Sequence, residues 1–371
     1  MIWFLILILI CYAILILSLA FGFTKIDEFK SENIIERTTF SVIIPFRNEA
    51  EDLPTLLKSI SELKYPKELV EFILVDDDSS DDSVEIIETF LETVFNTNIR
   101  VIANNRASNS PKKDAISTAI KIAKNNWIVT TDADCIVPKK WLKSLKNFIQ
   151  KNNPKMVVAP VNYKVKNNFL EQFQLLDFMS MQGTTIGGFG IDFPFLCNGA
   201  NLAYKKEEFL KLNGFEGNNN IASGDDIFLF EKFIKADKKS VKYLKSKEAI
   251  VTTYPVKTWT DLINQRTRWA AKTSDFSSIK IKLIGLLVLL TNLLVVTSLF
   301  AGSIEIIFIP FIIKMIIDLF LFLPTIRFFN HKSSFFKWYV LASLLYPFFS
   351  LFIILKSNFF KYKWKNRAFK K

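Results

Sequence analysis

One histidine serves the whole 371-residue chain, and only three cysteines accompany it. With His331 alone, neither a histidine base nor a His-rich metal centre has the residues it needs, so proton transfer falls to carboxylates. Cys11, Cys135 and Cys197 lack metal-ligand spacing and are too few for a disulfide framework, which fits a reducing cytosol. Charge is also scarce in two places: Met1–Phe23 carries none, and Leu283–Leu355 carries little. A cleaved signal peptide would want a basic start and a shorter apolar core. Met1-Ile2-Trp3-Phe4 is uncharged, and only Ala20-Phe21-Gly22 hints at a cleavage site. Residues 1–23 therefore read as a retained anchor, long enough for a bilayer core of roughly 30 Å. Internal repeats and low-complexity tracts are lacking too.

Apolar residues make up 50% of the chain, with 37 Phe among them, and they gather at its two ends. Lipid-buried ends flanking an aqueous domain explain this better than one oversized core. Downstream lie three apolar blocks, Leu283–Phe300, Ile304–Leu323 and Phe335–Leu355. Lys314 and Asp318 fall in the second at a spacing that lets them pair on one helical face, and intramembrane charges normally face protein or water. The formal net charge of +12 does not indicate nucleic acid, because seven of the last sixteen residues are Lys or Arg directly after an apolar block. Such juxtamembrane residues meet anionic lipid and put the tail in the cytosol. A cytosolic catalytic domain then requires an even number of crossings between, so one block is expected to be re-entrant or interfacial.

Between the ends, short β-branched runs alternate with helix-length stretches. Strands are expected at Phe40–Pro45, Phe72–Val75, Val101–Ala103 and Trp127–Thr131, with helices at Glu51–Leu63, Ser83–Val94 and Lys113–Lys124. This alternation predicts a mainly parallel α/β sheet with right-handed crossovers, in which ligands bind beyond the carboxyl ends of the strands. After Trp141 the pattern loosens. Val157–Tyr163 reads as a strand, Gly183–Gly199 as a loop around an acceptor cleft, and Lys205–Leu212 and Asp226–Ala236 as helices.

Four strings carry chemistry, each with a plain structural alternative. Asp76-Asp77-Asp78-Ser79-Ser80-Asp81-Asp82 leaves the second strand; it is either a solvated turn that caps a helix or a clamp for a pyrimidine and its ribose, since ionised Asp is acceptor-only. Asp132-Ala133-Asp134 ends the fourth strand, where two carboxylates one residue apart can reach a hard cation, Mg²⁺ or Mn²⁺, that also bridges diphosphate oxygens. Asp225-Asp226 either complements a helix N-terminus or supplies a general base, and direct displacement with one base inverts the anomeric centre. Gln265-Arg266-Thr267-Arg268-Trp269 lies on an amphipathic helix expected over Thr258–Lys272. It suits an interfacial helix and equally suits Arg268 on diphosphate oxygens with Trp269 against the acceptor. Lys112-Lys113 reads as a phosphate contact or as solvated surface, and Cys197–Asn201 as a loop with amide side chains near an acceptor.

Taken together, these strings resemble the membrane-bound family 2 glycosyltransferases, the group holding cellulose, chitin and hyaluronan synthases and ceramide glucosyltransferase. Ser41–Glu49 is similar to the family's opening strand, and Val75–Asp81 to its Val-Asp-Asp-Gly-Ser-x-Asp segment, with Asp78 replacing the usual Gly. Gln265, Arg268 and Trp269 match Gln-x-x-Arg-Trp, and Trp364-Lys365-Asn366-Arg367 resembles a terminal string of bacterial members. The resemblance implies a GT-A fold and a nucleotide-sugar donor, most often a UDP-sugar. It implies donor contacts from Pro45, Asn48, Glu49, Asp76, Asp77 (to uracil), Lys112, Asp132, Gln265 and Arg268. It further implies a Mg²⁺ or Mn²⁺ ion on Asp132 and Asp134, catalysis by Asp226 with Asp225, and acceptor contacts from Asn198, Gly199 and Trp269.

The expected organisation is an anchor (1–23), a GT-A domain (38–255), an interface helix (256–280), transmembrane or re-entrant helices (281–356) and a basic cytosolic tail (357–371). The chain is expected to be an integral protein of the cell (inner) membrane that inverts configuration as it adds sugar to a membrane-embedded lipid or lipid-linked glycan. Its partners would be the bilayer, donor and acceptor, without nucleic acid, and a homo-oligomer or synthase subunits are compatible. Three or four apolar segments are few for enclosing a water-filled polymer channel, which makes a processive polysaccharide synthase the alternative. A non-catalytic nucleotide-sugar sensor could lose the base, yet Asp77, Asp132, Asp134 and Asp226 are all present. A soluble nucleotidyltransferase explains neither Gln265–Trp269 nor the apolar ends.

Overall fold

The computed structural model describes residues 2–31, 38–93, 98–217, 223–271, 278–300, 304–359, 362–364 and 367–369. Val94, Lys272, Lys365 and Asn366, which belong to three of the expected features, lie outside that set. In chain order the elements are α1 (Ile2–Lys25), β1 (Phe40–Phe46), α2 (Leu53–Ser61), β2 (Val70–Asp76), α3 (Ser83–Thr93), β3 (Ile99–Ala103), α4 (Pro111–Ile122) and β4 (Trp127–Thr130). Then follow α5 (Trp141–Asn152), β5 (Met156–Val158), β6 (Val161–Tyr163), α6 (Phe169–Gly190), β7 (Leu202–Lys205), α7 (Lys206–Lys211) and α8 (Asp225–Asp237). The chain continues through β8 (Val241–Tyr243), β9 (Val251–Thr253), α9 (Trp259–Ala271), α10 (Ile279–Ser298), α11 (Ile304–Phe328) and α12 (Lys332–Phe359), and ends on β10 (Tyr362–Trp364) and β11 (Arg367–Phe369).

Two compact units share these elements. One comprises Asp27–Lys164 and Leu196–Tyr254, and holds β1–β9. Its seven-stranded sheet has the order β3-β2-β1-β4-β7-β5-β8. β3, β2, β1 and β4 run parallel, β7 runs against β4 and β5, and β5 and β8 are parallel, so the sheet is mainly parallel as expected. Ile43, Ile44, Ile73, Leu74, Val75, Ile128 and Val129 are all fully buried. Unbroken apolar runs of this kind mark parallel strands covered on both faces. Leu53, Leu56 and Leu57 of α2, with Ala115, Ile116 and Ala119 of α4, turn their apolar stripes inward. Glu71 of β2 is a charge fully buried in this core; it accepts hydrogen bonds from Ser41 Oγ and the Lys124 N–H, both at 2.6 Å, and pairs with Arg100. Burial alone would raise its pKa, but these donors lower it, so Glu71 is a satisfied structural carboxylate.

Because β1, β2, β3 and β4 are parallel, their carboxyl ends share one edge of the sheet. Phe46 lies beside Asp76, and Asp76 beside Ala103. The expected strand Val157–Tyr163 is two strands: Ala159-Pro160 interrupts it, β5 stays in the main sheet, and β6 pairs with β9. Proline has no N–H for a ladder, which makes such a break local and abrupt.

The other unit comprises Met1–Ile26, Val165–Phe195 and Pro255–Lys371. Residues 165–195, expected within the GT-A domain of 38–255, group with the apolar helices in the structure. Gly183–Gly190, expected as loop, is the last part of the 22-residue α6, and only the residues beyond Gly190 are irregular. Glycine ordinarily weakens a helix; here it permits contact with α1. A Cβ on Gly190 would come within 1.8 Å of the Gly22 oxygen, and one on Gly187 within 2.3 Å of the Leu19 oxygen. Small residues allow such backbone approach between apolar helices.

Among the described residues, four helices are long and apolar enough to cross a membrane, over Leu5–Lys25, Ile279–Ser298, Phe308–Phe328 and Phe335–Phe359. Length and composition therefore qualify all three downstream blocks and single out none as re-entrant. Lys314 and Asp318 do pair along one helix face at 2.6 Å, and the Tyr12 hydroxyl donates to Asp318 at 2.5 Å. Asp177 of α6 accepts from Arg266 of α9 and, at 2.9 Å, from Tyr346 of α12.

Candidate active site

At the shared strand edge the loops interlock before any ligand is considered. Asn48 is left-handed (φ 50°), and its Oδ1 accepts the Ser80 N–H at 2.8 Å. The Glu49 N–H donates to Ser83 Oγ at 2.8 Å, and the Ala50 N–H to Asp81 Oδ2 at 3.1 Å. Arg47 donates to the Asp77 and Asp78 carbonyl oxygens. Asp76 spends Oδ1 on the Ser79 N–H at 3.0 Å, closing its own turn. Asp81 Oδ1 accepts the Ser83 N–H at 3.2 Å where α3 begins, so the capping reading holds for Asp81, whereas Asp76 only closes its own turn.

Asp78 stands where the resembled motif carries Gly, and its φ of +63° explains that preference. Asp is among the few residues that enter this region readily. Its side chain is 87% exposed, so conformation decides the position. Asp78→Gly is expected to change stability by less than about 1 kcal/mol, whereas Asp78→Val lowers it by about 1–2 kcal/mol, the left-handed penalty. Thermal unfolding of the two variants checks this, and equal midpoints would contradict it.

Asp77 is buried, and Arg106 grips it through two hydrogen bonds, Nε to Oδ1 and Nη2 to Oδ2, each 2.7 Å. Asn104 Nδ2 adds a third at 2.8 Å and also reaches the Pro111 carbonyl oxygen at 3.0 Å. The carboxylate keeps Arg106 protonated, above the usual arginine range. Spacing gave no hint of Arg106 or Asn104; their loop follows β3 and meets Asp77 only through the sheet register. Asp114 of α4 holds this loop by accepting from the Ala107 and Ser108 N–H groups at 3.1 and 2.8 Å.

Pro111 begins α4, and Lys112 is its second residue. Lys112 Nζ lies 2.6 Å from Asp132 Oδ1 and 3.4 Å from Asp225 Oδ2. One ammonium thus joins the exit of β4 to the start of α8. Burial would lower its pKa, but Asp132, Asp225 and Asp226 raise it above the usual lysine range. The neighbouring Lys113 is buried, with its ammonium 5.1 Å from the centre of the Phe228 ring.

Gly199 makes the second junction. Its carbonyl oxygen accepts from Thr130 Oγ1 at 2.8 Å, at the end of β4, and its N–H donates to Asp226 Oδ2 at 3.1 Å. A Cβ there would sit 3.2 Å from Asp226 Cβ and 3.3 Å from Asp225 Oδ2, so glycine permits the close approach. Asn198 Oδ1 accepts the Ala200 N–H at 3.0 Å, capping this turn. Asn201 anchors it from behind, accepting from Trp141 Nε1 and donating to the Pro160 and Ala249 oxygens. Asp226 Oδ1 also accepts the Ile227 N–H at 2.8 Å.

Asp134 is partly buried beside Asp132. Burial first, then the Asp132 charge and Asp52, push its pKa up to about 6, while a Cys135 hydrogen bond and Lys112 pull it down. Two carboxylates repelling across a partly desolvated gap make an oxygen donor set that a divalent cation would relieve. No group of three or more His, Cys, Asp or Glu suited to a metal occurs among the described residues. The pair still fits Mg²⁺ or Mn²⁺ held by one or two carboxylates, with phosphate and water completing the shell.

Asp77, Asp132, Asp134, Asp225, Asp226, Lys112, Asn198 and Gly199 thus fall in one unit, as do Pro45 on β1 and the loop residues Asn48 and Glu49. Gln265, Arg268 and Trp269 lie in the other unit, on α9. There the unexpected anchor is Arg266, which donates to Gln265 and Asp177 and stacks 4.1 Å from the centre of the Trp269 ring.

A family model described as glycosyl transferase family 2 matches residues 41–207, and one described as glycosyl transferase family group 2 matches residues 127–355. Among curated proteins, a poly-beta-1,6-N-acetyl-D-glucosamine synthase of Staphylococcus aureus is 27% identical over 174 residues, 45% of this chain and 40% of that one. The poly(ribitol-phosphate) beta-N-acetylglucosaminyltransferase TarS of the same species is 30% identical over 114 residues, 31% of this chain and 19% of that one. The chain thus spans less than half of either relative. Among solved structures, the mannosyltransferase PcManGT of Pyrobaculum calidifontis, in complex with GDP-Man and Mn²⁺, superposes with a TM-score of 0.59 at 17% identity. The match covers 93% of this chain and 97% of that one, and shows a shared fold.

Proposed function

This chain belongs to the family 2 glycosyltransferases, and on that footing we propose that it moves a sugar from a nucleotide sugar to a membrane-embedded acceptor with inversion at the anomeric carbon. The observation that carries the reading is the Lys112 bridge, which gathers Asp132 and Asp225 around one ammonium at 2.6 and 3.4 Å. Asp77, Asn104 and Arg106 form the donor end, where the Asp77 carboxylate orients a base, and a UDP-sugar suits an acceptor-only group.

Asp132 and Asp134 would hold Mg²⁺ or Mn²⁺, which when bound stabilises the negative charge left on the departing diphosphate. Asp226 takes the proton of the acceptor hydroxyl. Its two oxygens accept backbone N–H groups of Ile227 and Gly199, which fix their direction. Asp225 balances the Lys112 charge and is the poorer base for that reason. One base without a protein nucleophile means a single displacement, hence inversion. Roles for Gln265 and Arg268 on the donor and for Trp269 on the acceptor rest on their motif alone.

The four apolar helices found among the described residues support an integral membrane enzyme; a catalytic unit facing the cytosol rests on the basic tail and requires that one of the three downstream helices does not cross. Processive synthesis is the second reading, and the S. aureus relative named as a synthase favours it. Purified protein incubated with radiolabelled UDP-N-acetylglucosamine, UDP-glucose or GDP-mannose distinguishes them. The expected product is a lipid-extractable species carrying one or a few sugars. A ladder of long polymer would support the synthase instead, and no incorporation from any donor would remove the transferase reading.

A further inference from the structure

We propose that Lys112 is a resident counter-ion whose hold on Asp132 and Asp225 makes divalent-cation binding at Asp132 and Asp134 depend on a nucleotide diphosphate. The inference rests on the donor-site reading above and adds an order of events to it.

The placement of Lys112 is the first argument. It sits in the opening turn of α4, where unsatisfied N–H groups and the helix dipole disfavour a cation. Its side chain is only 20% exposed, so water does little to compensate. What offsets both costs is the acidic surround: contacts to Asp132 and Asp225, with Asp226 close enough to add to the field. Lys113 shows the alternative available to a lysine here, since it turns away to the Phe228 ring.

The second argument concerns competition. A contact of 2.6 Å occupies one Asp132 oxygen that a metal would use, and two cations at that carboxylate repel each other. A bare divalent ion therefore meets an Asp132 that already carries a cationic partner. A nucleotide diphosphate changes this, because its oxygens offer the ammonium a new partner. Lys112 then moves from carboxylate to phosphate, Asp132 is released to the metal, and Asp225 loses its counter-ion. Metal and nucleotide each strengthen the binding of the other by the same factor, as linkage requires.

The test is Mn²⁺ binding to the purified full chain in detergent, read from the electron paramagnetic resonance of free Mn²⁺, with and without UDP and corrected for the Mn²⁺–UDP complex. In wild type, saturating UDP is expected to tighten Mn²⁺ binding at least ~10-fold, within the usual range of coupling between sites. Lys112→Gln is expected to bind Mn²⁺ about 10-fold more tightly than wild type without UDP, and to gain less than about 3-fold when UDP is added. Lys112→Arg retains the charge and the wild-type coupling, which guards against a folding defect in the first variant. If wild type binds Mn²⁺ and UDP while Lys112→Gln shows no tighter Mn²⁺ binding alone, the counter-ion role is wrong and the donor site survives. Equal Mn²⁺ affinity of wild type with and without UDP overturns the proposal as well. Failure of wild type to bind either probe would remove the donor-site reading, and this inference with it.

Discussion

Asp226→Asn is expected to lower turnover by at least ~10²-fold, the low end of what a positioned general base contributes, while leaving UDP binding within about 3-fold. The amide keeps the shape and one acceptor oxygen, so it can still satisfy either the Gly199 N–H, now on Oδ2 at 3.1 Å, or the Ile227 N–H, now on Oδ1 at 2.8 Å, but not both. What the amide lacks is the ability to accept a proton at neutral pH. Loss in kcat without loss in donor affinity separates this role from the structural alternative, a carboxylate that merely complements the N-terminus of α8. That alternative predicts a lower unfolding temperature with near-normal turnover. Near-normal turnover in a stable Asp226→Asn protein would take Asp226 out of the mechanism.

Asp134→Ala is the companion experiment at the cation. Losing one of two carboxylate ligands should weaken Mn²⁺-dependent UDP binding at least ~10-fold, since even the outer supports of a metal ligand are worth that much. Removing the like charge beside Asp132 also relieves a repulsion that contributes to raising the Asp134 pKa to about 6. The apo protein is therefore expected to remain as stable as wild type or to become slightly more so. Calorimetric titration of UDP at several Mn²⁺ concentrations reads the first effect and thermal unfolding in EDTA the second. Unchanged UDP affinity at every Mn²⁺ concentration would rule out Asp134 as a ligand.

Much of the catalytic unit was legible because parallel strands buried on both faces write themselves as apolar runs. Ile43-Ile44, Ile73–Val75 and Ile128-Val129 are such runs, and the carboxylate strings follow two of them at the sheet's ligand-binding edge. The departure at Asp78 was legible too, and its left-handed backbone gives the reason for the glycine it replaces. What local pattern could not supply was partnership across the fold. Arg106 is fixed by a carboxylate 29 positions away and Lys112 by one 20 positions away, and no periodicity reports either contact. α6 was hidden for a different reason: its glycines look like loop until the backbone of α1 is placed against them. The pattern places Arg266 on an amphipathic helix and no more, and the structure makes it the buried partner of Asp177.

A crystal grown with UDP and Mn²⁺, with anomalous data collected at the manganese edge, tests the central claim most directly. The expected map has one manganese peak between the carboxylates of Asp132 and Asp134, with the UDP phosphates beside it and the base near Asp77. Manganese and nucleotide bound elsewhere, with Asp132 still paired to Lys112, would contradict it.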